Sequence, residues 1–192
     1  MSKWICILFI AFTACNNSYS PTQKSIIIPN KIVLITDTLL QLSNGVYLYQ
    51  KQPFSGYIQS NYPNHKIQNI AAYFEGKQQN WTYSFFENGQ KEAVRYYHLG
   101  EKDSLHIGWW NNGNLRFSYQ FKNGNYNGWF KEYYASGKPL KQIFYVNGKD
   151  SMGKGWRENG KPFMNYISKG ERRFGLMNAQ LCYSLEKEKI QQ

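Results

Sequence analysis

The chain has 192 residues, 42% of them hydrophobic and 18% charged, which fits one folded domain and excludes a largely disordered polymer. Its 16 Tyr, 12 Phe and 6 Trp stand beside 16 Gly, and rings with glycine favour strands and turns over helices. The formal charge of +11 attracts phosphate-rich partners of any kind without choosing among them.

The chain opens with MSKWICILFIAFTAC: Lys3, an apolar run from Trp4 to Phe12, then Ala14-Cys15. Residues 1–14 read as a signal peptide, too short to span a membrane. The end of this leader resembles a bacterial lipobox, with Phe12 at the place where that pattern prefers Leu. The resemblance implies that Cys15 becomes the lipid-bearing mature N-terminus of an exported, membrane-anchored envelope lipoprotein; ordinary cleavage without a lipid is the alternative. Cys6 would leave with the leader, so Cys182 is the one thiol left and no intrachain disulfide is expected. The segment 15–30 reads as lipid attachment and linker, since NNSYSPTQKSIIIPN is rich in polar residues and proline. Aromatics among basic residues would suit single-stranded nucleic acid, but export removes that partner.

Residues 31–53 are expected to form N-terminal capping strands. From there a period of 24 takes over. Gly89, Gly113 and Gly137 follow it, with Gly160 one residue early and His65 at the preceding place; Gly76, Gly100, Gly124 and Gly148 form a second series. Ring columns share the period: Tyr62, Phe86, Trp110 and Tyr134; Tyr73, Tyr97, Phe121 and Tyr145; Tyr57, Trp81, Leu105 and Trp129; Phe85, Trp109 and Tyr133.

Two glycine turns per period make each unit a β-hairpin with its connection. Asn88-Gly89, Asn112-Gly113 and Asn159-Gly160 read as type I′ turns, whose two central residues both need positive φ. LRFSYQF alternates, with Leu115, Phe117, Tyr119 and Phe121 on one face. Because 24 is even, each column keeps its face provided no bulge intervenes. The expected fold is all-β, an elongated single-layer antiparallel sheet of repeated 24-residue hairpins. A closed membrane barrel would need an uninterrupted apolar face, and Lys131 interrupts the column of Tyr83 and Ile107.

SFFENGQKEAVRYYHLGEK and KEYYASGKPLKQIFYVNGK resemble the bacterial variant of the MORN repeat: an aromatic pair, a polar-Gly turn, Lys, a strand, another aromatic and a second Gly-Lys turn. NYPNHKIQNIAAYFEGK resembles it with His65 for the usual Gly, and Phe54-Ser55-Gly56 is similar to the N-terminal half-unit of that branch. Five units would cover 54–170, leaving 171–192 as a C-terminal cap over the last strand and a polar tail. The resemblance implies an open twisted sheet and a protein- or membrane-associated scaffold, in a branch often described as antitoxins.

Chemistry is sparse. His65, His98 and His106 lack metal-ligand spacing, and no metal or cofactor is expected. Asp103, Asp150, Glu87, Glu101 and Glu158 fall at turns as solvated charges, while Glu132 is centred in a strand. Cys182 sits in the apolar stretch AQLCYSL and reads as a buried thiol. Lys77, Lys138, Lys149 and Lys161 follow turn glycines and read first as solubilising charges, secondly as a rim for lipid headgroups or polysaccharide. The expected function is a non-enzymatic, monomeric envelope scaffold binding a protein, envelope glycan or lipid headgroup, with Trp81, Trp109, Trp110, Trp129 and Tyr133 as the binding face. The alternatives are an antitoxin or immunity protein and a glycan-acting enzyme.

Overall fold

The structure, a computed structural model, describes residues 26–177. The leader, Cys15 and the segment containing Cys182 lie outside the described residues. The elements are β1 (Ile32–Leu34), β2 (Leu40–Ser43), β3 (Val46–Tyr49), β4 (Gln52–Pro53), β5 (Gly56–Asn61), β6 (Ile67–Phe74), β7 (Lys77–Phe85), β8 (Lys91–His98), β9 (Glu101–Trp109), β10 (Leu115–Lys122), β11 (Asn125–Tyr133), β12 (Pro139–Val146), β13 (Lys149–Trp156), β14 (Pro162–Lys169) and β15 (Arg172–Leu176). Twelve strands form one long sheet, β1 followed by β5 through β15 in chain order. Every neighbouring pair from β5 onwards is antiparallel, and β1 joins β5 in parallel. β1 and β15 do not pair with each other, so the sheet is open and is not a barrel. The fold is the expected all-β sheet of successive hairpins. β15 pairs with β14 and prolongs the sheet.

The two glycine series build the two long edges of the sheet, but the two-residue turns expected at Asn88-Gly89, Asn112-Gly113 and Asn159-Gly160 are found in the other series instead. Glu75-Gly76, Leu99-Gly100, Asn123-Gly124 and Asn147-Gly148 have positive φ at both residues and are the two-residue turns. Asn88, Asn112 and Asn159 keep negative φ, and only the following glycine is left-handed. There the turn holds three residues: Gly89 N–H donates to the Phe86 carbonyl and Phe86 N–H to the Gln90 carbonyl, both at 2.8 Å. The Asn side chain explains the choice, because its oxygen accepts the N–H two residues on, 2.9 Å for Asn88 and Gln90, and 3.0 Å for Asn112 and Asn114. His65, at φ 65, fills the glycine place in the first such turn.

Each edge also ties neighbouring hairpins together. On the edge of two-residue turns, the N–H groups of Gly76, Gly100, Gly124 and Gly148 donate to the carbonyls of Phe54, Gln78, Lys102 and Tyr126 at 2.7 to 2.9 Å. On the other, the Tyr62 hydroxyl donates to Phe85 O at 2.8 Å, Trp110 Nε1–H to Tyr133 O at 3.0 Å and the Tyr134 hydroxyl to Trp156 O at 3.0 Å. Lys138 Nζ donates to the Glu158 carbonyl, so this turn lysine is a structural clamp.

Bulges do intervene. Between Ala71–Thr82 and Tyr73–Gln78, one residue of β6 faces three of β7, and the same step recurs between β8 and β9 and between β10 and β11. Two extra residues leave the alternation in phase, so the columns survive them. Between β12 and β13 the step adds a single residue, Ser151, which shortens that unit. A further shift places Leu115 opposite Trp109 and Phe117 opposite Gly108, so Arg116 breaks the expected alternation at its first member.

Residues paired across strands share a face. The inner face carries Ile58, Ala71, Thr82, Ser84 and Ala93 at one end, all buried. There the small sheet β2–β3–β4 supplies Leu40, Tyr47 and Tyr49, which pack on Val33, Phe54, Ile58, Ala71 and Tyr73. Further along, rings cover one another: Tyr119 stacks between Phe117 at 4.6 Å and Phe130 at 4.2 Å, and Tyr126 lies 4.6 Å from Phe121 and 5.1 Å from Tyr145. Glycines make room for them, since a Cβ at Gly108 would enter the Phe117 ring and one at Gly153 the Tyr166 ring.

Candidate binding face

The outer face is covered by no other element among the described residues. One register row crosses it from β11 to β15: Trp129, Phe144, Met152, Ile167 and Phe174 lie side by side on successive strands. Four of the five are exposed, from Trp129 at 37% to Phe174 at 50%. At the usual strand spacing the row is about 19 Å long. A neighbouring row on the same face runs Ile70, Tyr83, Val94, Ile107, Ser118, Lys131, Gln142, Lys154 and Asn165, apolar at first and basic or polar beside the stripe. Lys131 Nζ stands 5.3 Å from the centre of the Trp129 ring. A contiguous apolar strip bordered by cations is what a docking surface offers, whereas scattered exposed apolar side chains would carry no such meaning.

The expected contact residues divide. Trp81 and Trp129 are exposed at the bulges, Trp81 edge-on to Tyr96 at 5.0 Å and Trp129 edge-on to Phe144 at 5.2 Å. Trp109 and Tyr133 are half-buried at the other end of their strands, and Trp110 is half-buried just beyond the end of β9. Trp110 also carries the Arg116 guanidinium over its ring at 4.7 Å. Phe144, Met152, Ile167 and Phe174 were not singled out by the column reading, although Met152 continues Trp81, Leu105 and Trp129 after a step of 23 instead of 24.

The titratable groups mostly serve the fold. His106 is buried beneath Phe121 and Tyr97, and its Nε2 lies 2.7 Å from the Tyr96 carbonyl oxygen. A carbonyl only accepts, so Nε2 carries the hydrogen, and burial holds the ring pKa below its ordinary value. Asp150 is not a solvated turn charge: Arg173 grips it with two hydrogen bonds of 2.9 and 2.8 Å, Ser168 adds one at 3.0 Å, and the guanidinium holds the carboxyl well below the usual range. Glu132 accepts from the Tyr119 hydroxyl at 2.7 Å and lies 3.6 Å from Lys141 Nζ. Burial first, and this bond second, push the Tyr119 hydroxyl up. Among the described residues no three His, Cys, Asp or Glu side chains come together as a metal site.

No family model matches the chain, and no curated protein is found to match it.

Proposed function

We propose that the protein is a non-enzymatic, MORN-like repeat scaffold of the cell envelope, anchored through a lipid on Cys15, whose outer sheet face docks another protein. The observation that supports docking is the exposed row Trp129, Phe144, Met152, Ile167 and Phe174 beside Lys131 and Lys154. Its occupant would present a flat apolar patch bordered by carboxylates, matching the stripe and the cations next to it. If that occupant is a toxin, the same surface makes the protein an immunity protein.

Two measurements test this reading. A photo-crosslinking residue placed at Met152 or Ile167 in the full chain should capture one protein from the envelope, while the same residue at Asn112, on a turn, should not. Adding Lys154→Glu should reduce the yield by about tenfold, as expected when a like charge faces an acidic rim. Equal capture from Asn112, or none from Met152 and Ile167, would remove the docking face. Intact mass of the membrane-extracted chain should show a diacylglycerol increment on a polypeptide starting at Cys15, and an unmodified mature N-terminus would remove the anchor.

A further inference from the structure

Repeats supply their own control: a position where one unit departs from its siblings, and where that departure opens a cleft, is a candidate for a task the other units do not share. One inner-face row runs Ser84, Ala93, Gly108, Phe117, Glu132, Lys141, Gly155 and Met164. On the second strand of each hairpin the row holds Ser84, Gly108, Glu132 and Gly155, so β11 carries a carboxylate where its neighbours carry the smallest side chains. Other departures gather around it. Arg116 stands where the flanking units have Glu92 and Leu140, Tyr119 where they have Arg95 and Ile143, and Trp110 where they have Phe86 and Tyr134.

Together these residues line a cleft of about 300 Å³ walled by Trp110, Phe117, Tyr119 and Tyr133, with Glu132 and Arg116 as its charged groups. Glu132 is held by the Tyr119 hydroxyl at 2.7 Å and by Lys141 at 3.6 Å, which fixes the carboxylate and leaves it acceptor capacity. Arg116 is exposed, its guanidinium lies on the Trp110 ring, and it makes no hydrogen bond or ion pair with a described residue, so its N–H donors remain available. An acceptor and a planar set of donors in the lining of a ring-walled cleft fit a ligand with donors and acceptors on adjacent atoms and apolar C–H faces between them. We infer that this cleft binds a single pyranose ring through its vicinal hydroxyls, as the end or branch unit of a glycan. The volume lies at the small end of ligand pockets and suits one ring. Polarised C–H groups of the sugar would meet the electron-rich faces of the aromatic walls. Glycoside hydrolysis usually employs a pair of carboxylates; among the described residues Glu132 is the one carboxylate lining this cleft, so the inference is of binding.

This site goes beyond the protein-docking reading and lies apart from the apolar stripe. The test titrates the full chain with methyl β-glucopyranoside, N-acetylglucosamine and methyl glucuronide, read by ligand saturation-transfer NMR and tryptophan fluorescence. At least one probe should bind saturably in the millimolar range. Glu132→Gln and Arg116→Gln should each weaken it about tenfold or more, as loss of a charge-assisted hydrogen bond implies. Trp110→Phe, which borrows the ring of Phe86 from the preceding unit, should fold and remove the fluorescence response. Binding by none of the three probes, or undiminished binding in the Glu132→Gln, Arg116→Gln double variant, overturns the inference. Met152→Glu, on the docking stripe, should leave sugar binding intact. Loss of sugar binding in that variant would place the site elsewhere, while absent sugar binding with intact crosslinking from Met152 would sink this inference alone.

Discussion

The two ends of the inner face solve one problem by different means. From β5 to β6 the inner face, with Ile58, Ala71 and Tyr73, is roofed by β2–β3–β4, whose Tyr47 meets Tyr73 at 5.1 Å. From β10 to β12 no second layer lies over it among the described residues, and the rings of Phe117, Tyr119, Phe121, Tyr126, Phe130 and Tyr145 lean on one another instead. A single sheet can exclude water from one face by recruiting a lid or by growing its side chains until they shield themselves. The second route explains the aromatic composition. It also makes each ring both core and cover, so a deletion there opens the face directly to solvent.

That contrast can be broken most forcefully at Phe117, 9% exposed, and Phe54, 2% exposed. Both Phe117→Ala and Phe54→Ala should cost about 3 kcal/mol by chemical denaturation. Hydrogen exchange should separate them: Phe54→Ala should release the amides of β2–β4 while β10–β12 stay protected, and Phe117→Ala should do the reverse. Loss of protection along the whole sheet in either variant would mean that the two ends are not independent.

A smaller effect is expected at Leu99, which holds φ 48 in a two-residue turn where Asn123 and Asn147 hold 49. Leu99→Asn should stabilise the β8–β9 hairpin by about 0.5 to 1 kcal/mol, because asparagine tolerates the left-handed conformation better than leucine. A lowered midpoint in denaturant would mean that the Leu99 side chain, 45% exposed, has a packing role after all.

The mildest perturbation is pH. His106 has a folded pKa below its ordinary value of 6.5, so its neutral form contributes fully above that value and the contribution is lost as pH falls through the folded pKa. Stability should therefore decline from neutral to mildly acidic pH, with loss of protection centred on β9 and β10, and His106→Phe should flatten the profile. An unchanged slope in that variant would assign the acid response to other groups.

The repeat, the hairpins and the column of Tyr62, Trp110 and Tyr134 were legible in the sequence because periodicity survives whatever happens between its marks. Turn type was not, because Asn-Gly serves both a two-residue turn and a three-residue one, and both place glycine in the left-handed region. What distinguishes Asn88-Gly89 from Asn123-Gly124 is the number of residues that strand pairing leaves in the loop. The two-residue bulges were invisible for a related reason, since they preserve the parity of the columns. Of the candidate contact residues, Trp81 and Trp129 could be marked from their column, but Met152 and Ile167 escaped because the single-residue bulge at Ser151 shifts them by one. The Glu132 cleft left a sequence trace, a carboxylate in a column of small residues, that becomes readable only once pairing shows which residues share its row.

The bonds along the two long edges set a rule for how this molecule can grow. Each carbonyl accepting from Gly76, Gly100, Gly124 or Gly148 lies 22 residues before its donor, one hairpin back. Duplicating a whole unit regenerates that bond on one edge and, unless the unit is the one with Phe86, the Tyr62-type bond on the other, and lengthens the sheet by about 10 Å. Inserting a single strand would carry every later two-residue turn to the opposite edge, where no partner carbonyl awaits its glycine. Length in this architecture is therefore quantised in pairs of strands.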